Sequence, residues 1–216
     1  MKGFFCGQRD YRIPFQFILT NSNMKKNFLN LLLASFVFAF TACSSPKPAI
    51  STSPTSISSS RITQQNVDVA LQAWCDGLIS IAKAHTENKD YKTIAGQVLD
   101  NLYNYAEAPV SFKPTLTFGD KTFRTTREGA AAYFIGGNPK FPDDTGFALK
   151  GWTAARYVTS SLNTEGNMVI WQGNVYIKGK DGKETMVDKT FGYKRGSDGK
   201  LRIVLHHSSL PYSPAK

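Results

Sequence analysis

Between Pro142 and Ser209 the chain reads as four β-rich segments, about 151–163, 166–179, 183–195 and 200–209, and this run constrains the fold more than any other feature. Three turn-forming stretches separate them: Asn163-Thr164-Glu165-Gly166, Gly179-Lys180-Asp181-Gly182 and Gly196-Ser197-Asp198-Gly199. Asn, Asp and Gly tolerate the backbone angles of tight turns, so consecutive segments should pair as an antiparallel meander. The upstream half has a different period. Val67, Leu71, Trp74, Leu78, Ile81 and His85 recur every three or four residues, the pattern of one face of a long helix over about 63–87. Ile94, Val98, Leu99 and Leu102 predict a second helix over about 90–104. Beyond Pro109 and Pro114, Thr115–Phe118 reads as a short strand. Residues 127–135 read as a brief helix stopped by Gly136-Gly137, as a left-handed C-terminal cap would stop it. Helices first and a meander afterwards predict an α+β domain over 63–212, with the long helix across a curved antiparallel sheet.

The first 62 residues have another character. Residues 28–40 carry no charge, follow Lys25 and Lys26, and run into Thr41-Ala42-Cys43. Thirteen apolar residues are too few to span a bilayer, and the layout is that of a secretory signal over 1–42. Met24 begins a complete signal by itself and is expected to be the real start. Phe40-Thr41-Ala42-Cys43 resembles a bacterial lipobox, with Phe where Leu is usual, which makes Cys43 the expected lipidation site. Residues 43–62, rich in Ser, Pro and Thr, suit a flexible tether. The expected location is therefore the bacterial periplasm or outer membrane, on a lipid anchor.

Composition narrows the chemistry. The formal charge of +10 falls to +6 once residues 1–42 are removed, and no Lys/Arg block remains. This argues against a nucleic-acid partner. The turn lysines Lys178, Lys180 and Lys183, together with Lys189, read as a solvated rim. Cys75 is the one cysteine left in the domain and reads as a small buried hydrophobe. Three histidines exist, His85, His206 and His207, and neighbours on a strand point to opposite faces. A three-histidine zinc site within one subunit is thus disfavoured, and no CxxC, HExxH, GxSxG or phosphate loop is present. No cofactor is expected, although a zinc or manganese ion is not ruled out by the sequence. Period-two alternation sets Arg202, Val204, His206 and Ser208 on one strand face, with Ile203, Leu205, His207 and Ser209 on the other.

The order of elements resembles the NTF2-like, or SnoaL-like, cone. The terminal hairpin, residues 190–211, is similar to that of the association domain of calcium/calmodulin-dependent kinase II. His206-His207-Ser208-Ser209-Leu210-Pro211, with Phe112-Lys113-Pro114-Thr115 and Ala131-Ala132-Tyr133-Phe134 upstream, resembles the iota class of carbonic anhydrases. The resemblance implies reversible hydration of CO2 to bicarbonate in a pocket built from Thr115, Tyr133, His206 and Ser208. It also implies a homodimer, as many NTF2-like proteins pair through the outer sheet face. His207 and Ser209 would then serve binding on the other side of the strand. On this reading Tyr133, Ser208 and Thr115 orient a water. His206, with an ordinary pKa near neutrality, accepts or shuttles its proton. Phe134, Trp152 and Trp171 would supply a dry wall.

Two other readings suit such a fold. One is a non-catalytic lipoprotein that binds a small ligand or a partner domain; a pocket plugged by aromatic side chains would favour it. The other is an isomerase or cyclase with an acidic base inside the cone. Asp120, Glu128, Asp143 and Asp144 all fall in or beside predicted turns, which gives that reading little support.

Overall fold

A computed structural model describes residues 61–214. The expected signal peptide, the expected lipidation site Cys43 and the expected tether up to residue 60 lie outside the described residues. Helix α1 spans Gln64–Thr86. Thr63 opens it with a capping box: its hydroxyl accepts from the Asn66 N–H while the Asn66 side chain accepts from the Thr63 N–H, which satisfies two otherwise orphaned donors. Val67, Leu71, Trp74, Cys75, Leu78 and Ile81 form its buried face. Helix α2 spans Tyr91–Leu102, capped by the Asp90 carboxylate. Helix α3 spans Arg127–Ile135, started by the Thr126 hydroxyl and ended at Gly136, whose φ of 63° suits a residue without a Cβ.

Four long strands follow: β2 (Trp152–Glu165), β3 (Met168–Gly179), β4 (Glu184–Arg195) and β5 (Leu201–Ser209). They pair antiparallel in the expected order. A short strand β1 (Ser111–Lys113) adds to the far edge in parallel with β5, so the sheet is mixed, with the order β1-β5-β4-β3-β2. The expected strand at Thr115–Phe118 is displaced to this position. Pro114 is the reason: it has no N–H to give a ladder and it holds Lys113 extended, so the strand ends there. Thr115 accordingly sits in the turn after β1.

The core lies between the helices and one face of the sheet. Val169, Trp171, Val175 and Ile177 of β3 meet Val187, Phe191 and Tyr193 of β4 and the apolar face of α1. Along β5 the alternation breaks once. Gly192 pairs with Leu205 but Tyr193 pairs with Ile203, which leaves Val204 as the extra residue of a β-bulge. Ile203 and His206 are therefore both buried on the inner side. The expected grouping of Arg202 and Val204 with His206 fails for that reason, whereas His206 and Ser208, both beyond the bulge, do share a face.

Candidate active site

The bulge and the β1–β5 register build the site. Phe112 pairs with His206, and the two rings stack at 4.4 Å with 14° between their planes. Phe191 covers the other side of the imidazole at 4.6 Å and Trp74 meets its edge at 5.6 Å. His206 is 2% exposed and Ser208 1%. Parallel pairing also carries the chain past Pro114 so that Thr115 Oγ1 reaches Ser208 Oγ at 2.6 Å. Lys113 Nζ donates to the Ser208 carbonyl at 3.0 Å and fixes that strand end. Tyr133 enters from α3, buried against Phe112 and stacked on Phe147. Its hydroxyl lies near Thr115 and has no hydrogen-bond partner in the protein, and burial pushes its pKa up to about 12. It is a neutral donor aimed into the site.

All four residues expected from the sequence, Thr115, Tyr133, His206 and Ser208, thus meet in one place. Their apolar surround is Trp74, Phe112, Pro114, Phe134 and Phe147. Of the expected wall only Phe134 takes part: Trp152 donates to the Phe147 carbonyl, and Trp171 donates to Thr159 Oγ1 on β2. These side chains close on one another and leave no room among them for a water. A second space of about 20 Å³ adjoins Tyr133, lined also by Leu116, Asp143, Asp144 and Phe147, and holds about one water. The room present is thus that of about one water, far below the roughly 300–1,000 Å³ of organic-ligand pockets. A larger depression of about 570 Å³ is open and lies on the opposite sheet face, where Gln172, Asn174, Asp188, Thr190, His207 and Ser209 line it. His207 and Ser209 therefore stand apart from the four-residue site.

Two expectations need correction. Lys189 is no rim lysine: it is 5% exposed, and its Nζ lies 2.8 Å from His206 Nε2 and 3.1 Å from Ser208 Oγ. The signal was in the alternation, since Val187, Lys189, Phe191 and Tyr193 occupy successive inward positions of β4. Nor does His206 titrate near neutrality. Burial holds its pKa well below the ordinary histidine value, and the Lys189 and His207 charges push the same way, so it stays a neutral hydrogen-bonding group. Its Nδ1 lies 3.0 Å from the Tyr103 hydroxyl, which accepts from Trp74 Nε1 at 3.0 Å. Tyr103 was not singled out from the sequence; it follows α2 as an ordinary aromatic position.

Among the described residues no group of three or more His, Cys, Asp or Glu is placed to hold a metal. Cys75 is buried as expected, and burial pushes its thiol up to about 12. Asp144, the acidic residue nearest the site, is paired to Arg124 at 2.9 Å, so it is no free base for isomerase chemistry. The site is thus a buried cluster of three hydroxyls and one imidazole, walled by aromatic rings, on the inner face of the sheet of an α+β domain.

The chain belongs to the metal-independent carbonic anhydrase family, whose model matches residues 65–210. It is 43% identical over 166 residues to the metal-independent carbonic anhydrase of Nostoc sp. strain PCC 7120, covering 76% of this chain and 81% of the relative. The crystal structure of a cyanobacterial iota-carbonic anhydrase complexed with bicarbonate is likewise 43% identical, with a TM-score of 0.70 over 71% of this chain and 95% of that one. Among more distant structures is an NTF2-like superfamily protein from Salmonella enterica, at 17% identity and a TM-score of 0.40, covering 69% of this chain and 96% of that one.

Proposed function

We propose that this protein interconverts CO2 and bicarbonate without a metal, at the Thr115–Tyr133–His206–Ser208 site. The observation that carries the reading is the convergence of the Thr115, Tyr133 and Ser208 hydroxyls at one buried spot walled by aromatic rings. In hydration, a water oxygen attacks the CO2 carbon and negative charge grows on the CO2 oxygens. Metal enzymes lower the pKa of that water; here hydrogen bonds in a low-dielectric site must do the work. Tyr133 donates to a developing oxyanion, the Ser208–Thr115 pair orients the water, and the proton that the water loses passes along these hydroxyls to solvent. Donors fixed in a water-excluding pocket do not reorganise as charge develops, and each is worth about 10²–10³ in rate. Phe112, Phe134 and Phe147 give CO2 an apolar wall. Support also comes from the names of the family and of its cyanobacterial members, one of them in complex with bicarbonate.

From the N-terminal pattern of residues 24–43 we infer that the protein acts outside the cytoplasm of a bacterium. It is exported by residues 1–42, lipidated at Cys43 and held in the periplasm or at the outer membrane. The NTF2-like resemblance supports a homodimer as well, with the groove around His207 and Ser209 on the open sheet face as the surface where a second copy packs. Stopped-flow CO2 hydration, with and without a chelator and with total metal measured on the same sample, tests the chemistry. Hydration that survives metal removal is expected. Loss on chelation with recovery on zinc or manganese would keep the activity and overturn the mechanism, and no activity at all would favour a binding module. Retention of a Cys43→Ser variant in the membrane fraction would overturn the anchor, and a monomer in sedimentation would overturn the dimer.

A further inference from the structure

Six side chains form one continuous hydrogen-bonded line through the core. It runs from Trp74 Nε1 to the Tyr103 hydroxyl (3.0 Å), His206 Nδ1 (3.0 Å), then His206 Nε2 to Lys189 Nζ (2.8 Å), Ser208 Oγ (3.1 Å) and Thr115 Oγ1 (2.6 Å). The indole N–H can only donate, and this fixes the direction of the line. Tyr103 is 1% exposed. With its oxygen accepting from Trp74, its own O–H is satisfied only by giving its proton to His206 Nδ1. His206 then carries its proton on Nε2 and donates toward Lys189. An amine can accept that bond; an ammonium, with three N–H groups and no lone pair, cannot.

The surroundings of Lys189 point the same way. It makes no ion pair among the described residues. The groups packed around it are the Trp74 ring, 4.4 Å from Nζ, and the Cys75 thiol from α1. Tyr103 lies beyond α2, Thr115 stands in the turn after β1, and Tyr133 projects from α3. Phe191 and Tyr193 come from its own strand, and His206 and Ser208 from β5. The titratable members of that set are all uncharged at neutral pH. Cys75 and Tyr133 are held near 12, Tyr103 and Tyr193 well above the ordinary tyrosine value, and His206 well below the histidine value. The Trp74 and Phe191 ring faces favour an ammonium weakly, but no fixed negative charge in that set holds one, and Nζ lines the same small space as Thr115, Tyr133 and Ser208.

We propose that Lys189 is the anion-binding residue of this site: the Trp74–Tyr103–His206 line keeps it an uncharged amine, and it takes up a proton from solvent when bicarbonate enters and pairs with it. The identity of the anion rests on the carbonic anhydrase reading. Uncharged, Lys189 leaves the space among Thr115, Tyr133 and Ser208 without a charge, which suits CO2; protonated, it puts a positive charge inside that space, which Lys113 at the strand end and Lys150 beside Tyr133 do not line. Binding of the anion and of the proton are then coupled. Affinity for bicarbonate falls about tenfold per pH unit above the amine's own pKa.

The test is a titration of the full chain labelled with ¹³C- and ¹⁵N-lysine, followed by NMR at the Cε–Nζ positions with and without sodium bicarbonate. One lysine signal is expected to titrate near pH 7, where burial places this amine. It should move to higher pH by one unit or more with bicarbonate and be missing in Lys189→Met. In Tyr103→Phe the same signal should also move to higher pH. Without the tyrosine O–H, His206 is free to shift its proton to Nδ1 and accept from an ammonium. A purely structural lysine would show neither movement. A wild-type signal titrating above pH 9, or one that bicarbonate leaves in place, would overturn the proposal even if Lys189→Met does not fold. CO2 hydration measured on the same samples separates the two readings: absent hydration with the bicarbonate-linked titration intact sinks the enzymatic reading alone.

Discussion

Replacing Lys189 with Met should change how stability depends on pH. The lysine pKa falls from 10.5 to about 7 in the folded protein because burial disfavours the ammonium. Between those values the unfolded chain binds a proton that the folded chain does not, so stability rises with pH in that window. It is lowest below pH 7, where both states are charged and the folded state buries the charge. At about 1.36 kcal/mol per pH unit the full displacement amounts to roughly 5 kcal/mol. Over pH 7 to 9 alone it gives about 2–3 kcal/mol. That narrower window is the useful one, because the Cys75 thiol begins to contribute with the opposite sign above pH 9. The assay is urea unfolding followed by tryptophan fluorescence at half-unit pH steps, taking the difference between wild type and Lys189→Met so that all other titrations cancel. The variant leaves His206 Nε2 and Ser208 Oγ without their partner, which costs about 1–3 kcal/mol at every pH. The absolute stabilities are therefore ambiguous, and the slope decides. Parallel wild-type and variant curves from pH 7 to 9 would refute the claim that Lys189 is uncharged in the folded state.

Tyr133→Phe and Ser208→Ala should each lower kcat for CO2 hydration by about 10²–10³; near-normal rates in both would dismiss the hydroxyl scheme. Tyr133→Phe should barely move the unfolding midpoint, whereas Ser208→Ala, which leaves Thr115 and Lys189 short of a partner, should cost about 1–3 kcal/mol. Arg124→Ala leaves the Asp144 carboxylate buried without its partner and should cost about 3–5 kcal/mol in urea unfolding. A loss under 1 kcal/mol would mean that the pair is solvated in solution. Gly173→Ala should unfold or aggregate on expression, because a Cβ there would sit 2.1 Å from the Val158 carbonyl oxygen. A soluble variant with normal circular dichroism would show that β2 and β3 can part at that point.

Much of this architecture was legible because local signals agreed with the tertiary outcome. Thr126 and Gly136 bound α3 at both ends, and the Gly-containing turns bound each long strand, so those elements were placed within a residue or two. Thr115, Tyr133, His206 and Ser208 were legible through the family's motifs, and the structure gives them a common location. What failed was non-local. The extra residue at Val204 is a one-position change in register that composition does not mark, yet it turns Ile203 inward beside His206. Strand β1 is three residues long and exists because β5 offers it an edge, so Thr115–Phe118 looked the better strand by residue type alone. Lys189 misled because lysine is a surface residue by default. Its place in the inward series of β4 outweighed that default, and a polar group at such a position is a mark of function.

The order of the strands has a consequence for how the protein is made. Thr115 and Ser208 are 93 positions apart, and Phe112 meets His206 only when β5 is laid between β1 and β4. Every contact that His206 and Ser208 bring to the site therefore waits for β5, the last strand to be synthesised. Until β5 arrives, β4 is an open edge with Lys189 facing the core unpartnered, a surface that invites pairing with another chain. A molecule cut short before residue 201 is therefore inert and prone to aggregate, and catalytic competence doubles as a readout of completed folding.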